Sequence, residues 1–171
     1  MTFYTVGHST RSRDELHSLL EKFNIDLLVD VRSIPRSGHN PQFNKEKLKD
    51  GIRDIEYRHM EELGGYRNPE IEYSPNTSWE NDSFQNYADY ALTDEFDEAL
   101  QDLLDLAEKR TIAIMCAEKV WWRCHRRIIA DYLVVNDKDV VHIIEENRTS
   151  EHSLTEFAVC KNGVIHYSSE G

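Results

Sequence analysis

The apolar residues of this chain fall into short runs that alternate with amphipathic segments. The runs at 26–31 and 111–115 have the length of buried strands, whereas the apolar residues of 96–107 recur with the spacing of one helix face. Strands that alternate with helices predict a mainly parallel sheet with right-handed crossovers. We therefore expect an α/β fold, a single Rossmann-like three-layer domain over residues 1–171 with helices on both sides of the sheet.

Start, stop and turn signals place the individual elements. Ser12 and Glu15 form a capping box that starts a helix. Asn162-Gly163 between two short apolar segments predicts a C-terminal β-hairpin over 155–168, at an edge of the sheet or as an appendage. The predicted strands are 3–6, 26–31, 55–57, 111–115 and 140–144, with hairpin strands 157–160 and 164–167, and the predicted helices are 12–23, 45–53, 83–92, 95–109 and 123–135.

The segment from Leu63 to Asp82 has neither the period of a helix nor that of a strand. It contains Pro69 and Pro75 together with several Asn and Ser residues, which favour turns. A long loop inside a small domain is typically a lid, a binding loop or a disordered segment. We expect this one to close over a site formed by the strand ends.

Composition and charge exclude several classes of function. The formal net charge of −12 at pH 7 disfavours binding to duplex nucleic acid and to anionic membranes. The chain has no run near the ~20 apolar residues of a membrane span, and its first residues lack the basic and apolar regions of a signal peptide. Three cysteines, two of them in one polar segment, are not the pattern of a disulfide scaffold. We expect a cytoplasmic protein.

The strongest functional signal follows the predicted strand 111–115. Cys116 comes directly after it, and acidic and basic residues, two tryptophans, a second cysteine and a histidine follow. In open α/β sheets, ligands bind beyond the carboxyl ends of parallel strands, near helix N-termini. A helix N-terminus and nearby cations favour a thiolate. We therefore predict that Cys116 is a nucleophile with a lowered pKa.

Cationic side chains cluster near the same predicted strand ends, which in an acidic chain favours recognition of a small anion. We expect His8, Arg32 and Cys116 to share one crevice, because the ends of parallel strands meet at one edge of a sheet. His8 or Glu118 would transfer protons there. The residues predicted to bind the anion or the rest of the substrate are Ser9, Thr10, Arg32, Arg36, Gln42, Lys119, Arg123, Cys124, His125 and Arg126.

Several residues also have a purely structural interpretation. Asp30 and Arg32 have the pattern of a buried ion pair at a strand end. Tyr87 and Tyr90 share one helix face, which favours packing over catalysis. Cys160 lies in an alternating strand and is expected in the core.

A metal site is the main alternative for the thiols. Cys116, Cys124, His125 and His8 are of ligand types that zinc accepts. The order Cys-x7-Cys-His, however, differs from the ligand spacings of known zinc motifs. We expect no metal and no cofactor. Because Cys124 and His125 are neighbours in a predicted helix, one of them is expected to have a packing role.

Short motifs occur in order along most of the chain. They are Gly7-His8-Ser9-Thr10, Val29-Asp30-Val31-Arg32, Pro35-Arg36, Asn40-Pro41-Gln42-Phe43-Asn44, Leu63-Gly64-Gly65, Tyr87-Ala-Asp-Tyr90, Cys116-Ala-Glu118 and Arg123-Cys124-His125-Arg126. This set resembles the family catalogued as domain of unknown function 488, over about residues 3–145. The resemblance implies a small cytoplasmic α/β domain and no established reaction.

A second, looser likeness involves the segment 29–32 and the strand-terminal Cys116. It is similar to rhodanese-like and cysteine-phosphatase domains, in which a thiolate lies under backbone N–H groups that hold a sulfur or phosphate oxyanion. Six residues separate Cys116 from Arg123, one more than in cysteine phosphatases, and they include two tryptophans and no glycine. The likeness implies a thiolate that acts on an oxyanion.

Two functions stand as hypotheses. In the first, the chain is a cysteine-dependent transferase or hydrolase whose small anionic substrate bears a phosphate or a sulfur oxyanion. In the alternative, it is a non-catalytic module that binds a nucleotide or a single-stranded nucleic-acid end through arginine contacts and tryptophan stacking. A structural or regulatory protein without a small ligand is a third interpretation. Pairing of hairpin edges would give a homodimer.

Overall fold

A computed structural model shows a six-stranded sheet with helices on both faces and a two-stranded hairpin beside it. The structure describes residues 2–69 and 71–168. Residues 1, 70 and 169–171, which belong to the predicted domain, lie outside the described residues, and residue 70 belongs to the predicted long loop. The predicted α/β fold with a mainly parallel sheet and a C-terminal hairpin is confirmed.

The strands of the central sheet follow the predicted apolar runs except for the last. They are β1 (Thr2–Gly7), β2 (Leu27–Asp30), β3 (Glu56–His59), β4 (Ile112–Cys116), β5 (Asp139–Glu145) and β6 (Arg148–Glu151). Their order in the sheet is β3-β2-β4-β1-β5-β6, with β6 antiparallel to β5 and the others parallel. In the Rossmann order β1 lies between β2 and β4, whereas here β4 lies between β2 and β1. A Rossmann-like arrangement is therefore not confirmed.

Side chains cap the starts of three helices in the described part of the chain, and one of these caps, the capping box of Ser12 and Glu15, is predicted above. Ser12 and Glu15 form both hydrogen bonds of the capping box, and Asn81 and Thr93 accept hydrogen bonds from backbone N–H groups at the starts of two later helices. The helices are α1 (Arg13–Lys22), α2 (Lys45–Gly51), α3 (Asp82–Tyr90), α4 (Asp94–Ala107) and α5 (Arg126–Val135), with 3₁₀ helices at Pro41–Phe43, Glu61–Leu63 and Trp121–Arg123.

Apolar side chains fill both faces of the sheet and form the three layers. On one face, Leu16 of α1 belongs to the same buried cluster as Met115 of β4. On the other face, Leu103 of α4 and Ile128 of α5 belong to a cluster with Ile114. Ile114 and Met115 are adjacent in β4 and lie on opposite faces, as the alternation of a strand requires. The central strand is thus buried on both sides.

The hairpin, β7 (Ala158–Lys161) and β8 (Val164–Tyr167), forms a separate two-stranded sheet. Ile165 and Tyr167 of β8 are buried in the cluster on the α4 and α5 side of the central sheet. Cys160 lies in the exposed half of β7. The expectation of a core cysteine is therefore wrong, because β8 rather than the end of β7 supplies the buried contacts.

Two elements differ from the sequence prediction. The helix expected from about residue 123 begins at Arg126, because the 3₁₀ helix Trp121–Arg123 precedes it. The strand Arg148–Glu151 is polar and mostly exposed, so no apolar pattern predicts it. Within the described part of the chain, no helix is long and apolar enough to cross a membrane.

The carboxyl ends of β2, β4 and β1 lie side by side at one edge of the sheet. Gly7, at the end of β1, approaches the loop after β4 so closely that a Cβ atom would lie 1.9 Å from the carbonyl oxygen of Glu118. The backbone N–H of His8 donates to the carbonyl of Cys116 at 2.9 Å. These contacts fix the segment after Cys116 against the end of β1.

Candidate functional site

A cavity of about 460 Å³ opens at this edge of the sheet. Its lining comes from the ends of β2 and β4, from the segment before α5, and from two short segments around residues 65 and 83. The lining residues are Arg32, Ser33, Gly65, Tyr66, Asn81, Ser83, Phe84, Cys116, Ala117, Glu118, Arg123, Cys124 and His125.

Two thiols meet in the cavity. Cys116 is the last residue of β4, and Cys124 lies between the 3₁₀ helix and α5. Both are buried free thiols, and their Sγ atoms are 2.6 Å apart. The Cys116 thiol also faces the carbonyl oxygen of Glu118 at 3.6 Å. Because a carbonyl oxygen only accepts, this contact favours the protonated form of Cys116.

The surroundings of Cys124 favour the opposite protonation state. The backbone N–H of Arg126, in the first turn of α5, donates to the Cys124 Sγ atom at 3.4 Å. Helix N-termini carry partial positive charge and stabilise a thiolate. The pair is therefore best described as a Cys124 thiolate that accepts a hydrogen bond from the Cys116 thiol.

The pKa values of the two thiols are shifted in opposite directions. Burial raises the pKa of Cys116 well above its usual value, and the hydrogen bond and charge of Cys124 add to this effect. Burial also disfavours the Cys124 thiolate, but the hydrogen bond from Cys116 and the charge of Arg126 outweigh burial and lower the pKa of Cys124 to about 7. The prediction of a lowered pKa at Cys116 is therefore wrong, because the helix N-terminus faces the other thiol.

Arg126 is a buried cation beside this pair. Its side chain is 1 % exposed, and its guanidinium donates to the Thr5 hydroxyl and to the Glu118 carbonyl. Among residues 2–69 and 71–168, no carboxylate forms an ion pair with it. Burial lowers the pKa of Arg126, but the adjacent thiol pair more than reverses that effect. Since a buried charge is normally paired, the thiol pair supplies the counter-ion.

His125 contacts both the thiol pair and the end of β2. Its Nε2 donates to the carbonyl of Val31 at 2.8 Å, and its Nδ1 lies 3.4 Å from the Cys124 Sγ atom. Since the carbonyl accepts, the ring proton is on Nε2 and Nδ1 is an acceptor. Burial lowers the pKa of His125 and keeps the ring neutral. Gly65 packs on this ring, where a Cβ atom would lie 2.5 Å from Nδ1.

Arg32, just beyond the end of β2, is held by a buried ion pair and still lines the cavity. Its Nε and Nη2 donate to the Asp30 carboxylate, which also accepts from the Tyr57 hydroxyl, and Nη2 donates to the Phe43 carbonyl. Its Nη1 lies 3.4 Å from Nε2 of His8. The structural interpretation of Asp30 and Arg32 is confirmed. Nη1 has donor capacity left over, so anion binding by Arg32 stays a prediction.

His8 is buried next to Arg32. Its ring stacks on Phe43, its Nδ1 donates to the Ser9 carbonyl at 2.9 Å, and burial lowers its pKa. Among the described residues that line the cavity, His8 is not found. Its role in proton transfer therefore stays a prediction.

The other predicted site residues divide between the cavity and its surroundings. The predicted residues in the lining are Arg32, Cys116, Glu118, Arg123, Cys124 and His125. Those outside the described lining are His8, Ser9, Thr10, Arg36, Gln42, Lys119 and Arg126. Gln42 donates to the Arg11 carbonyl, Lys119 pairs with Glu145, and Arg36 is exposed.

Sequence reasoning missed part of the cavity. The lining residues that it did not predict as site residues are Ser33, Gly65, Tyr66, Asn81, Ser83, Phe84 and Ala117. Gly65, Tyr66 and Asn81 belong to the long loop that is expected to close over the site. Asn81 accepts hydrogen bonds from the backbone N–H groups of Ser83 and Phe84. An N-cap residue before a predicted helix is therefore the sequence feature that points to this wall of the cavity.

The aromatic residues near the site have different environments. Trp121 stacks on His142 with 4.2 Å between ring centroids, whereas Trp122 is 49 % exposed. Tyr87 and Tyr90 donate to backbone carbonyls of the 3₁₀ helix Glu61–Leu63, which confirms packing roles. Trp122 is therefore the tryptophan whose ring surface remains accessible.

One group of side chains on the surface of the described part of the chain has ligand atoms close enough to hold a metal ion. The ligand atoms of His17, Glu21 and Asp54 come within 4.8 Å of one another on the surface. Within residues 2–69 and 71–168, the cavity residues form no such group of three.

The fold and the cavity define an α/β protein with a pair of thiols at the carboxyl edge of a mainly parallel sheet. The model of the family described as Domain of unknown function DUF488 matches residues 12–133. This match covers well over half of the chain and includes both cavity thiols, so the chain belongs to that family. Searches of curated proteins and of solved structures found no match. The family suggested by the motifs is confirmed.

Proposed function

We propose that the chain is a cysteine-dependent transferase or hydrolase whose small substrate bears a phosphate or a sulfur oxyanion. Cys124, rather than the predicted Cys116, is the nucleophile. The observation that carries the proposal is the buried guanidinium of Arg126, which interacts with the thiol pair and has no carboxylate partner among the described residues. Removing one member of a buried charge pair is costly, so Arg126 favours a charged Cys124.

Cys116 stabilises the thiolate, and His125 offers an acceptor for the proton of the neutral thiol. Cys116 donates a hydrogen bond to the Cys124 sulfur and lowers its proton affinity. The neutral His125 presents Nδ1 3.4 Å from the same sulfur and accepts a proton when the thiol is protonated. A free thiol pair of this kind also suits the cytoplasmic location that we propose, where thiols stay reduced.

Cationic groups in the lining would hold the oxyanion. The Nη1 atom of Arg32 keeps donor capacity beyond its contact with His8, and the exposed side chain of Arg123 lies in the same lining. Ser83, in the first turn of α3, adds a hydroxyl donor. Guanidinium groups bind phosphate and related oxyanions through paired N–H groups.

The reaction divides into two displacements. An electron pair of the Cys124 thiolate forms a bond to the phosphorus or sulfur atom, while the bond to the leaving oxygen breaks with its electrons. The leaving oxygen takes a proton from water at the open side of the cavity. Water, or an acceptor hydroxyl in a transferase, then attacks the same atom, gives its proton to the hydroxide left by the first step, and releases the Cys124 thiolate as the S–P or S–S bond breaks.

The proposal is tested by the pH dependence of alkylation of each cysteine, followed by peptide mass spectrometry with and without phosphate or sulfate. Cys124 is expected to react with a midpoint near pH 7 and to be protected by the anion, since both occupy one cavity. Cys160, exposed on the hairpin, is the internal control and should show no anion protection. Arg123→Gln should weaken the protection.

Two results would contradict the proposal. If Cys124 stays unreactive until the protein unfolds, Cys124 is a packing residue and not a nucleophile. If neither phosphate nor sulfate slows the alkylation of Cys124, the cavity does not bind an oxyanion. A Cys124→Ser variant, which keeps the shape of the side chain, separates the loss of the thiol from loss of the fold.

One observation favours the alternative of a nucleotide-binding module. Tyr66 lines the cavity and is 80 % exposed, so its ring offers a stacking surface next to Arg123 and Arg32 in the same lining. In this case a nucleoside monophosphate raises the melting temperature of Cys124→Ser as much as that of the wild type. Tyr66→Ala should then abolish the shift.

A further inference from the structure

The contact between the two cavity thiols has a chemical consequence beyond oxyanion chemistry. The Sγ atoms of Cys116 and Cys124 are 2.6 Å apart, whereas a disulfide bond is about 2.05 Å long. Cys116 at the end of β4 is fixed by the parallel sheet, and Cys124 lies two residues before the first residue of α5. Bond formation therefore needs only a small approach of the two sulfur atoms.

We infer that Cys116 and Cys124 are a redox site, which a small hydroperoxide converts to an intramolecular disulfide and a dithiol reductant restores. The inference goes beyond the proposed function, although both use Cys124 as the attacking thiolate. Closure of the disulfide removes that thiolate. The redox state of the pair would then control the oxyanion reaction.

The chemistry balances as two sequential steps. The Cys124 thiolate attacks the terminal oxygen of the hydroperoxide, the O–O bond breaks, and the departing alkoxide or hydroxide takes a proton from water. Cys124 is then a sulfenic acid. The sulfur of Cys116 attacks the Cys124 sulfur, the hydroxyl group leaves, and the Cys116 proton converts it to water. Two electrons pass from the two thiols to the peroxide.

The burial of the two thiols limits which oxidants can reach them. Cys116 is 3 % exposed and Cys124 is 6 % exposed, and both line the cavity. A bulky protein disulfide, the macromolecular oxidant of thiols, does not fit a cavity of about 460 Å³, whereas hydrogen peroxide does. A low-pKa thiol that is reached through an opening and lies next to a second thiol has the features of a redox-responsive pair.

Cys124 and Cys116 have different roles in this chemistry. The Arg126 N–H at 3.4 Å favours charge on Cys124, so Cys124 reacts first. The Cys116 thiol, which faces the Glu118 carbonyl and Cys124, stays protonated until it attacks the oxidised sulfur. Cys160 is exposed on the hairpin and takes no part.

The test uses the full chain with Cys160→Ser, which removes intermolecular disulfides at the exposed thiol. The protein is treated with hydrogen peroxide and analysed by intact mass and by peptide mapping. We expect the loss of two hydrogen atoms and a peptide that links Cys116 to Cys124, both reversed by dithiothreitol. In Cys116→Ser, dimedone should trap the sulfenic acid on Cys124 at a level roughly tenfold above that of the parent protein.

Other results would overturn the inference. One is direct conversion of Cys124 to sulfinic or sulfonic acid in the parent protein without a linked peptide. Another is a pair that stays reduced while Cys160 of the wild type is oxidised. The wild type and the Cys160→Ser parent give these results without any change in the cavity, so a folding defect of Cys116→Ser does not affect them.

The outcomes of the redox test and the oxyanion test are independent of each other. If phosphate protects Cys124 from alkylation but peroxide produces no linked peptide, only the redox inference is lost. If the disulfide forms but no anion protects the thiol, the oxyanion reaction is lost and the redox site stands.

Discussion

The Nε2 atom of His125 donates a hydrogen bond to the carbonyl oxygen of Val31 over 2.8 Å. This bond joins the residue that follows β2 to the start of α5. It also determines which ring nitrogen carries the proton, so Nδ1 faces the Cys124 sulfur as an acceptor. The position of one backbone carbonyl thus determines the chemistry that the histidine offers to the thiol pair.

The first prediction tests this placement through Gly65. In Gly65→Ala, the new Cβ atom would lie 2.5 Å from Nδ1 of His125, so the ring must shift. A displacement of about 1 Å can reduce the rate of a positioned reaction by up to about 100-fold. We expect slower alkylation of Cys124 near pH 7, measured by mass spectrometry, with the native circular dichroism spectrum retained.

Gly38→Ala is the matched control. A Cβ atom at Gly38 meets no atom within 4 Å. The control should alkylate at the wild-type rate. Equal rates for Gly65→Ala and Gly38→Ala would show that the contact with His125 has no influence on Cys124.

The second prediction concerns the stability that the Cys124 charge provides. The pKa of Cys124 is lowered to about 7 in the folded protein, against about 8.5 for an unfolded thiol. A lowered pKa stabilises the folded state above the unfolded pKa, and this stability is lost as the pH falls through 7. The free energy of unfolding of the wild type, minus that of Cys124→Ser, should therefore grow by about 2 kcal/mol between about pH 6 and about pH 8.5.

Denaturant unfolding at several pH values measures this difference. Cys160→Ser, which changes an exposed thiol outside the cavity lining, is the control variant. A difference between the wild type and Cys124→Ser that stays constant with pH would mean that Cys124 titrates alike in the folded and unfolded states. The range ends near pH 8.5 because Cys116, whose pKa is raised, has the opposite effect above its unfolded pKa.

Local sequence signals predict the elements of this fold better than their arrangement. The capping box of Ser12 and Glu15 and the turn at Asn162-Gly163 appear as expected, because a few neighbouring residues determine them. The strand Arg148–Glu151 has no apolar pattern and exists through its pairing with β5. The insertion of β4 between β2 and β1 depends on contacts between residues far apart in the chain, which no local pattern contains.

The candidate site shows the same limit. The cysteines, Arg32, Arg123 and His125 could be identified because chemically unusual residues follow strand ends. The thiol with the lowered pKa could not be identified, since it depends on the start of α5 and on the burial of Arg126. Asn81 was missed because a cap about forty residues before Cys124 has no chemical signature of its own.

The third prediction concerns the ion pair at the end of β2. Asp30 is fully buried and accepts hydrogen bonds from Arg32 and Tyr57. Asp30→Asn leaves the Arg32 guanidinium without a counter-ion, which should lower the free energy of unfolding by about 3–5 kcal/mol. The exposed pair of Asp50 and Arg53 provides the control, and Asp50→Asn should leave the denaturation midpoint unchanged. Equal midpoints for the two variants would refute a stabilising role of the buried pair.

The last prediction concerns attachment of the hairpin to the domain. The hydroxyl of Tyr167 donates to the Asp131 carboxylate of α5 at 2.8 Å, and that carboxylate also accepts from His152. A hydrogen bond to a charged group contributes about 1.5–3 kcal/mol, so Tyr167→Phe should destabilise the protein by that amount and speed hydrogen exchange at the amides of β8. Tyr73→Phe is the control, since Tyr73 is 85 % exposed. If both variants melt at the wild-type temperature, apolar packing rather than the buried carboxylate attaches the hairpin.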